Sequence, residues 1–244
     1  MVTPCILLLS KYPYRDSVRE VVHYFLKPEK GYFLINKVTS APSFKGVEIN
    51  SGEFRNLGLY VEILDSYLSQ IRALLTHYSR ITILRFDLHL PDCKFFSPNE
   101  GNQLVSVFFK SLKEHLSRKH WKGHKHVIFG WAREVEEKVK GHYHCFIGIR
   151  AAHKFIGEFL NGEWTHLWGL LEKRWKCISR GSMQVSRYHT VNRGIPEELD
   201  KAFKHISYLA KTKGKSFGTG EHYKRYATSR IKPKQQDDHC KIAA

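Results

Sequence analysis

At 244 residues and 42% hydrophobic content, the chain is long and apolar enough for one buried domain with a modest extension, which excludes wholesale disorder. Its 40 Lys and Arg against 23 Asp and Glu leave a formal charge of +17, a surplus that draws polyanions, nucleic acid first among them and anionic membrane second. No stretch approaches the roughly 20 apolar residues of a spanning helix, and the five scattered cysteines lack any CxxC pair, which argues against a disulfide framework and a cysteine-based zinc site.

The expected setting is therefore a reducing cytoplasm, with no membrane and no small-molecule substrate. In chain order, the first 50 residues carry Pro4, Pro13, Pro28 and Pro42 and read as irregular. From about Phe54 to Tyr78 the apolar positions Leu57, Val61, Leu64, Leu68, Ile71 and Leu75 recur at helical spacing, so residues 1–78 are expected to be an N-terminal extension ending in an amphipathic helix. Ile81 to Leu90 is β-branched, alternating and closed by Pro91, hence a strand. Ser97-Pro98-Asn99-Glu100 opens a helix that buries Leu104, Val107, Phe108, Leu112 and Leu116 and runs to about Lys119. Lys125 to Val135 and His142 to Ile149 are the second and third strands. Trp164 to Cys177 is a helix, Met183 to Tyr188 the fourth strand, and Pro196 to Thr212 a last helix begun by Pro, Glu197 and Glu198.

This order, β-α-β-β-α-β and a further helix, predicts an α+β fold: a ferredoxin-like antiparallel sheet with helices on one face, plus a C-terminal helix. Residues 79–213 would form that domain. Residues 214–244, basic and rich in Gly and Ser at their start, read as a flexible tail.

Gly141-His142-Tyr143-His144-Cys145-Phe146 places two histidines two apart on a strand, so both imidazoles point to one face, where they can chelate one divalent ion. A second pair, His124-Lys125-His126, has a lysine in the middle, which suits the buried face of a central strand poorly. A metal site for phosphoryl chemistry adds a carboxylate, and Glu134 is the first candidate. A hairpin turning near Val139 would set Glu134 across from His144 and Glu136 across from His142; Asp87 and His89, which share a face of the first strand, are the alternatives. On the last helix, Tyr208 and Lys211 are neighbours on one face, joined by His205. A tyrosine facing a metal-bound phosphate can attack it once its proton is lost, and a lysine beside it neutralises charge. Tyr24-Phe25-Leu26-Lys27 has the same spacing but precedes the histidine pair.

ITILRFDLHL, GHYHCFI and HISYLAKT, in that order on those elements, resemble the three motifs of the HUH endonucleases, the superfamily of rolling-circle replication initiators, relaxases and related transposases. The resemblance spans roughly residues 79–213. It is closest in detail to replication proteins of the filamentous-phage gene II type and to YagK/YfjJ-type prophage proteins. It implies that His142, His144 and, by position, Glu134 bind Mg²⁺ or Mn²⁺. Tyr208 would then nick single-stranded or origin DNA, keeping a 5′-phosphotyrosine link and freeing a 3′-hydroxyl that primes rolling-circle replication, with Lys211 assisting. Ser207 and Lys204 stand where a second tyrosine would be, so a single-tyrosine enzyme is implied. The resemblance implies the cytoplasm of a bacterial host; without a GxxxxGK[ST] run, strand opening falls to a host helicase and synthesis to a host polymerase. Lys213, Lys215, Lys224, Arg225 and Arg187 are the expected DNA contacts. The competing expectation is a non-catalytic protein that binds single-stranded DNA or RNA on the same sheet.

Overall fold

The computed structural model describes residues 37–54, 56–92, 96–118, 121, 124–136, 139–151, 156–215 and 223–235, without the side chains of 135–136 and 139–141. The Tyr24–Lys27 motif and most of the irregular N-terminal stretch lie outside the described residues. Five strands form one sheet: β1 (Arg80–His89), β2 (Ile128–Glu136), β3 (Val139–Arg150), β4 (Ser182–Asn192) and β5 (Tyr226–Thr228). Their order across the sheet is β4-β1-β3-β2-β5 and every pairing is antiparallel, so the fold is α+β. The histidine strand, β3, is the middle one. Short two-residue ladders join Val38–Thr39 to Leu59–Tyr60, Ser43–Phe44 to Val47–Glu48, and Phe159–Leu160 to Glu163–Trp164.

The helices are α1 (Val61–His77), α2 (Pro98–Leu116), α3 (His166–Ser179) and α4 (Pro196–Ser207). The start of α2 follows its sequence signal: the Ser97 side chain accepts from the Glu100 amide while the Glu100 carboxylate accepts from the Ser97 amide. The last helix ends earlier than its periodicity suggests. It gives way at Tyr208 to a 3₁₀ turn, Tyr208–Ala210, and then to an extended Lys211.

Alternation along the strands divides the interior into two cores. Leu84, Phe86 and Leu88 of β1 and Tyr143, Cys145 and Ile147 of β3 face α2 and α3, around the fully buried Trp175. Ile81 and Ile83 of β1, Ala132 of β2 and Phe146 of β3 face the other way, against Leu64, Tyr67, Leu68 and Ile71 of α1 and Phe203 and Ile206 of α4. The two helices between the strands, α2 and α3, thus share one face, while α1 and α4 cover the other. Both faces carry apolar residues, and α1 supplies much of the second layer. Gly130 lets α1 come close, because a Cβ there would lie 2.3 Å from the Phe146 ring and 2.7 Å from Tyr67. The Tyr67 hydroxyl, fully buried, donates to the Trp131 carbonyl at 2.9 Å.

The stretch read as a tail supplies β5, which pairs with β2 at Tyr226–Ala132 through Thr228–Gly130. No helix among the described residues is long and apolar enough to cross a membrane.

Candidate metal and tyrosine site

On the α1/α4 face the apolar layer covers only one end of the sheet. At the other end the same alternation brings up Arg85, Asp87 and His89 from β1, His142 and His144 from β3, and Glu134 from β2. Asp87 pairs directly with His144 and His89 with His142. The register of the β2–β3 hairpin differs from the sequence expectation: Glu134 pairs with His142, not His144, and Glu136 with Val139, not His142. A bulge between Glu134 and Glu136 absorbs one residue and tightens the turn. For Glu134 the difference is a two-residue slip, which preserves the face, so its carboxylate still joins the histidines.

The three converge. Nε2 of His142 and Nε2 of His144 are 3.1 Å apart, and Glu134 Oε2 lies 2.6 Å from the His144 nitrogen and 4.0 Å from that of His142. Their ligand atoms all fall within 4.8 Å of one another, with Glu134 1% and His144 6% exposed. Ligands about 2.1 Å from a shared ion and at right angles about it stand about 3 Å apart, so this group can hold a metal ion. On its far side, His144 Nδ1 is 2.7 Å from Asp87 Oδ1. That contact fixes the ring and leaves Nε2 turned to the site.

Electrostatics act differently on each donor. Burial opposes ionisation of Glu134, but hydrogen bonds from His144 and Lys211 outweigh it and hold its pKa at about 2. Burial, with the adjacent His144, lowers His142 to about 4, so its imidazole is neutral at neutral pH. His144 is raised despite burial, through Asp87 and Glu134. Asp87 is lowered by His144 and then Arg85, again against burial.

The 3₁₀ turn aligns residues three apart and so sets Lys211 against Tyr208. Lys211 Nζ donates to the Tyr208 hydroxyl at 2.7 Å and to Glu134 Oε1 at 2.8 Å, bridging the phenol to the carboxylate beside the histidine pair. These bonds raise the Lys211 pKa against the effect of burial. The Tyr208 ring stands edge-on to His144 at 6.0 Å, with the Arg85 guanidinium 5.0 Å from its centroid. The segment is tied down from outside the helix: Leu59 bridges to Lys211, and the Thr212 amide donates to the Gly58 carbonyl at 2.8 Å. Gly214, at φ +74°, seals Glu134 from above; a Cβ there would sit 2.5 Å from Glu134 Cγ.

Residues 40–226 match the model of the YagK/YfjJ C-terminal domain. The chain belongs to that family. No curated protein and no solved structure matches it. In this YagK/YfjJ-family chain the matched span takes in all five residues of the site, Glu134, His142, His144, Tyr208 and Lys211.

The expected DNA contacts divide. Lys213, Lys224 and Arg187 are exposed. Lys215 is 3% exposed, its Nζ donating to the Lys211 carbonyl at 3.0 Å, and burial lowers its pKa to about 7. Arg225 is 7% exposed. The His205 ring lies between His189, 3.0 Å away, and the Ser186 hydroxyl at 3.1 Å. The alternation of β1 held the signal for Arg85, one pleat before Asp87. The decoy histidines 124 and 126 precede β2, and His126 stacks on His77 at 3.7 Å.

Proposed function

We propose that this chain is a metal-dependent nuclease that nicks single-stranded DNA through Tyr208 and holds the cut end as a 5′-phosphotyrosine, in the manner of an HUH endonuclease. The observation that carries the reading is the Lys211 bridge, which holds a tyrosine hydroxyl against a two-histidine, one-carboxylate group. The main sheet supports it: taken in chain order, its first four strands stand 4-1-3-2 and antiparallel with helices between first and second and between third and fourth, as in a ferredoxin-like fold.

In the reaction the Tyr208 oxygen attacks phosphorus, its proton passing to solvent. The bond from phosphorus to the 3′ oxygen breaks, and that oxygen leaves as a hydroxyl after taking a proton from water. Lys211, its pKa raised, is charged and donating, so it serves by stabilising the phenolate. Arg85, beside the ring, adds positive charge where the phosphate enters. Glu134, His142 and His144 would hold Mg²⁺ or Mn²⁺, which polarises the non-bridging phosphate oxygens; the two imidazoles suit Mn²⁺ better. Initiation of rolling-circle replication of a phage or prophage element, with host helicase and polymerase, is the role this chemistry fits.

The test is a denaturing gel. Wild type and Tyr208→Phe are incubated with a diverse single-stranded DNA pool and Mn²⁺. A covalent adduct that requires both the metal and Tyr208 is expected, and sequencing the trapped DNA gives its site. Tight metal-independent binding without adduct would overturn the nuclease reading in favour of a non-catalytic nucleic-acid-binding protein.

A further inference from the structure

Arg133 lies on β2 one residue before Glu134 and therefore faces the opposite side of the sheet. It is only 7% exposed, yet its Nε and Nη1 have no hydrogen-bond partner among the described residues. A side-chain hydrogen bond joins it to the phenol of Tyr143. Orphaned donors on a buried cation are among the costliest groups a protein can keep.

The surroundings increase that cost. The Arg133 amide donates to the Arg225 carbonyl at 2.8 Å, extending the β2–β5 ladder by one rung and setting the two arginines side by side on adjacent strands. Like charges across a ladder repel. Arg225 is also only 7% exposed, and both guanidiniums lie against the Tyr223 ring, at 5.3 and 4.4 Å from its centroid. Behind them, the Asn102 side chain accepts from Tyr143 at 3.0 Å and donates to the Lys224 carbonyl at 2.8 Å, which fixes the end of α2 and the approach to β5.

We propose that Arg133 and Arg225 form a phosphate-binding site, built to take a backbone phosphate of a nucleic-acid strand on the face of the sheet opposite Tyr208. An oxyanion is the common ligand that takes up the orphaned donors of the Arg133 fork while adding negative charge beside a second guanidinium. Tyr223 holds the two forks in place, and exposed Lys224 marks the way in. With a metal-binding carboxylate at 134 and this arginine at 133, a bound strand would pass around the β2–β5 edge.

The experiment compares wild type with Arg133→Met and Arg225→Met, each also in a Tyr208→Phe background without metal, which separates this site from the nuclease reading. Thermal midpoints are measured with inorganic phosphate, and affinity for a single-stranded oligonucleotide is measured across salt concentrations. In wild type, phosphate raises the midpoint. Arg133→Met unfolds at a higher temperature than wild type in phosphate-free buffer, because it removes a buried cation with orphaned donors, and its response to phosphate is lost. Arg225→Met, which serves as the second variant, loses that response too. In either variant the salt slope of oligonucleotide binding falls by about 0.7 per lost contact. A phosphate response with an unchanged oligonucleotide slope keeps the site and assigns it to free phosphate groups. A variant that melts lower in phosphate-free buffer yet responds to phosphate and binds DNA as wild type does would overturn the site and make the arginines structural.

Discussion

Asp87 touches the candidate metal ligands through His144, and its carboxylate sets which imidazole nitrogen is free. Asp87→Asn keeps the shape and weakens that orientation, so Mn²⁺ affinity is expected to fall about 10- to 100-fold with the fold intact, as read by calorimetric titration beside a thermal melt. Gly214→Ala acts on the other carboxylate. The added methyl must displace Glu134 and also adopt a positive φ, so a loss of at least about 1 kcal/mol in urea unfolding is expected, together with weaker metal binding. pH acts on the metal-free protein through histidines of opposite sign. His142 is held near about 4 by burial and His144, and His205 near about 4 by burial and Arg85; the unfolded chain protonates both at about 6.5. Their stabilisation is whole above about 6.5 and is lost as the pH falls towards about 4. His144, with its pKa raised, stabilises below about 6.5 and loses that contribution as the pH rises through its folded value. The thermal midpoint is expected to drop between pH 6.5 and 4, and His205→Gln, neutral throughout, to flatten the drop. A profile unchanged by that substitution would remove His205 from the explanation.

Among the elements, β2 and α1 pack tightly at Gly130. Gly130→Val would push into Phe146 and Tyr67 and is expected to cost about 1–3 kcal/mol by urea unfolding. The capped start of α2 offers a milder change: Ser97→Ala is expected to cost about 1 kcal/mol. These elements were legible in unequal measure. Alternation placed His142 and His144 on one face, and the motif order put Tyr208 and Lys211 within reach of it. The register at Glu134 was not readable, because a bulge leaves no mark in a run such as AREVEEKVKG. The amphipathic stripe of α1 announced a buried face but not the sheet it covers, since periodicity says nothing about partners. A three-residue strand at Tyr226–Thr228 is too short to show a period at all, and the burial of Lys215 and Arg225 depends on contacts far away in sequence.

For the whole molecule, the charge of +17 and the metal group should separate in experiment. Affinity for single-stranded DNA is expected to fall steeply with salt, each phosphate contact contributing about 0.7 to the logarithmic slope. His142→Ala should leave that binding nearly unchanged while abolishing adduct formation, as anisotropy and gel assays run side by side would show. The tie between Gly58, Leu59 and the Tyr208–Thr212 segment also bears on where a minimal fragment begins. Residues 79–235 alone lack α1 and half the cover of one sheet face, so they are expected to unfold without cooperativity, unlike residues 37–235.

The two cores give the molecule an optical asymmetry. All five tryptophans belong to the α2/α3 side, with Trp131, Trp168 and Trp175 buried there and Trp121 and Trp164 packed at its margin. Ultraviolet emission therefore watches one half of the protein. Loading the histidine centre should leave that emission nearly constant, whereas an anion reaching Arg133, two residues along the same pleat from Trp131, should change it. The two faces can thus be followed separately in a single cuvette without attaching a dye.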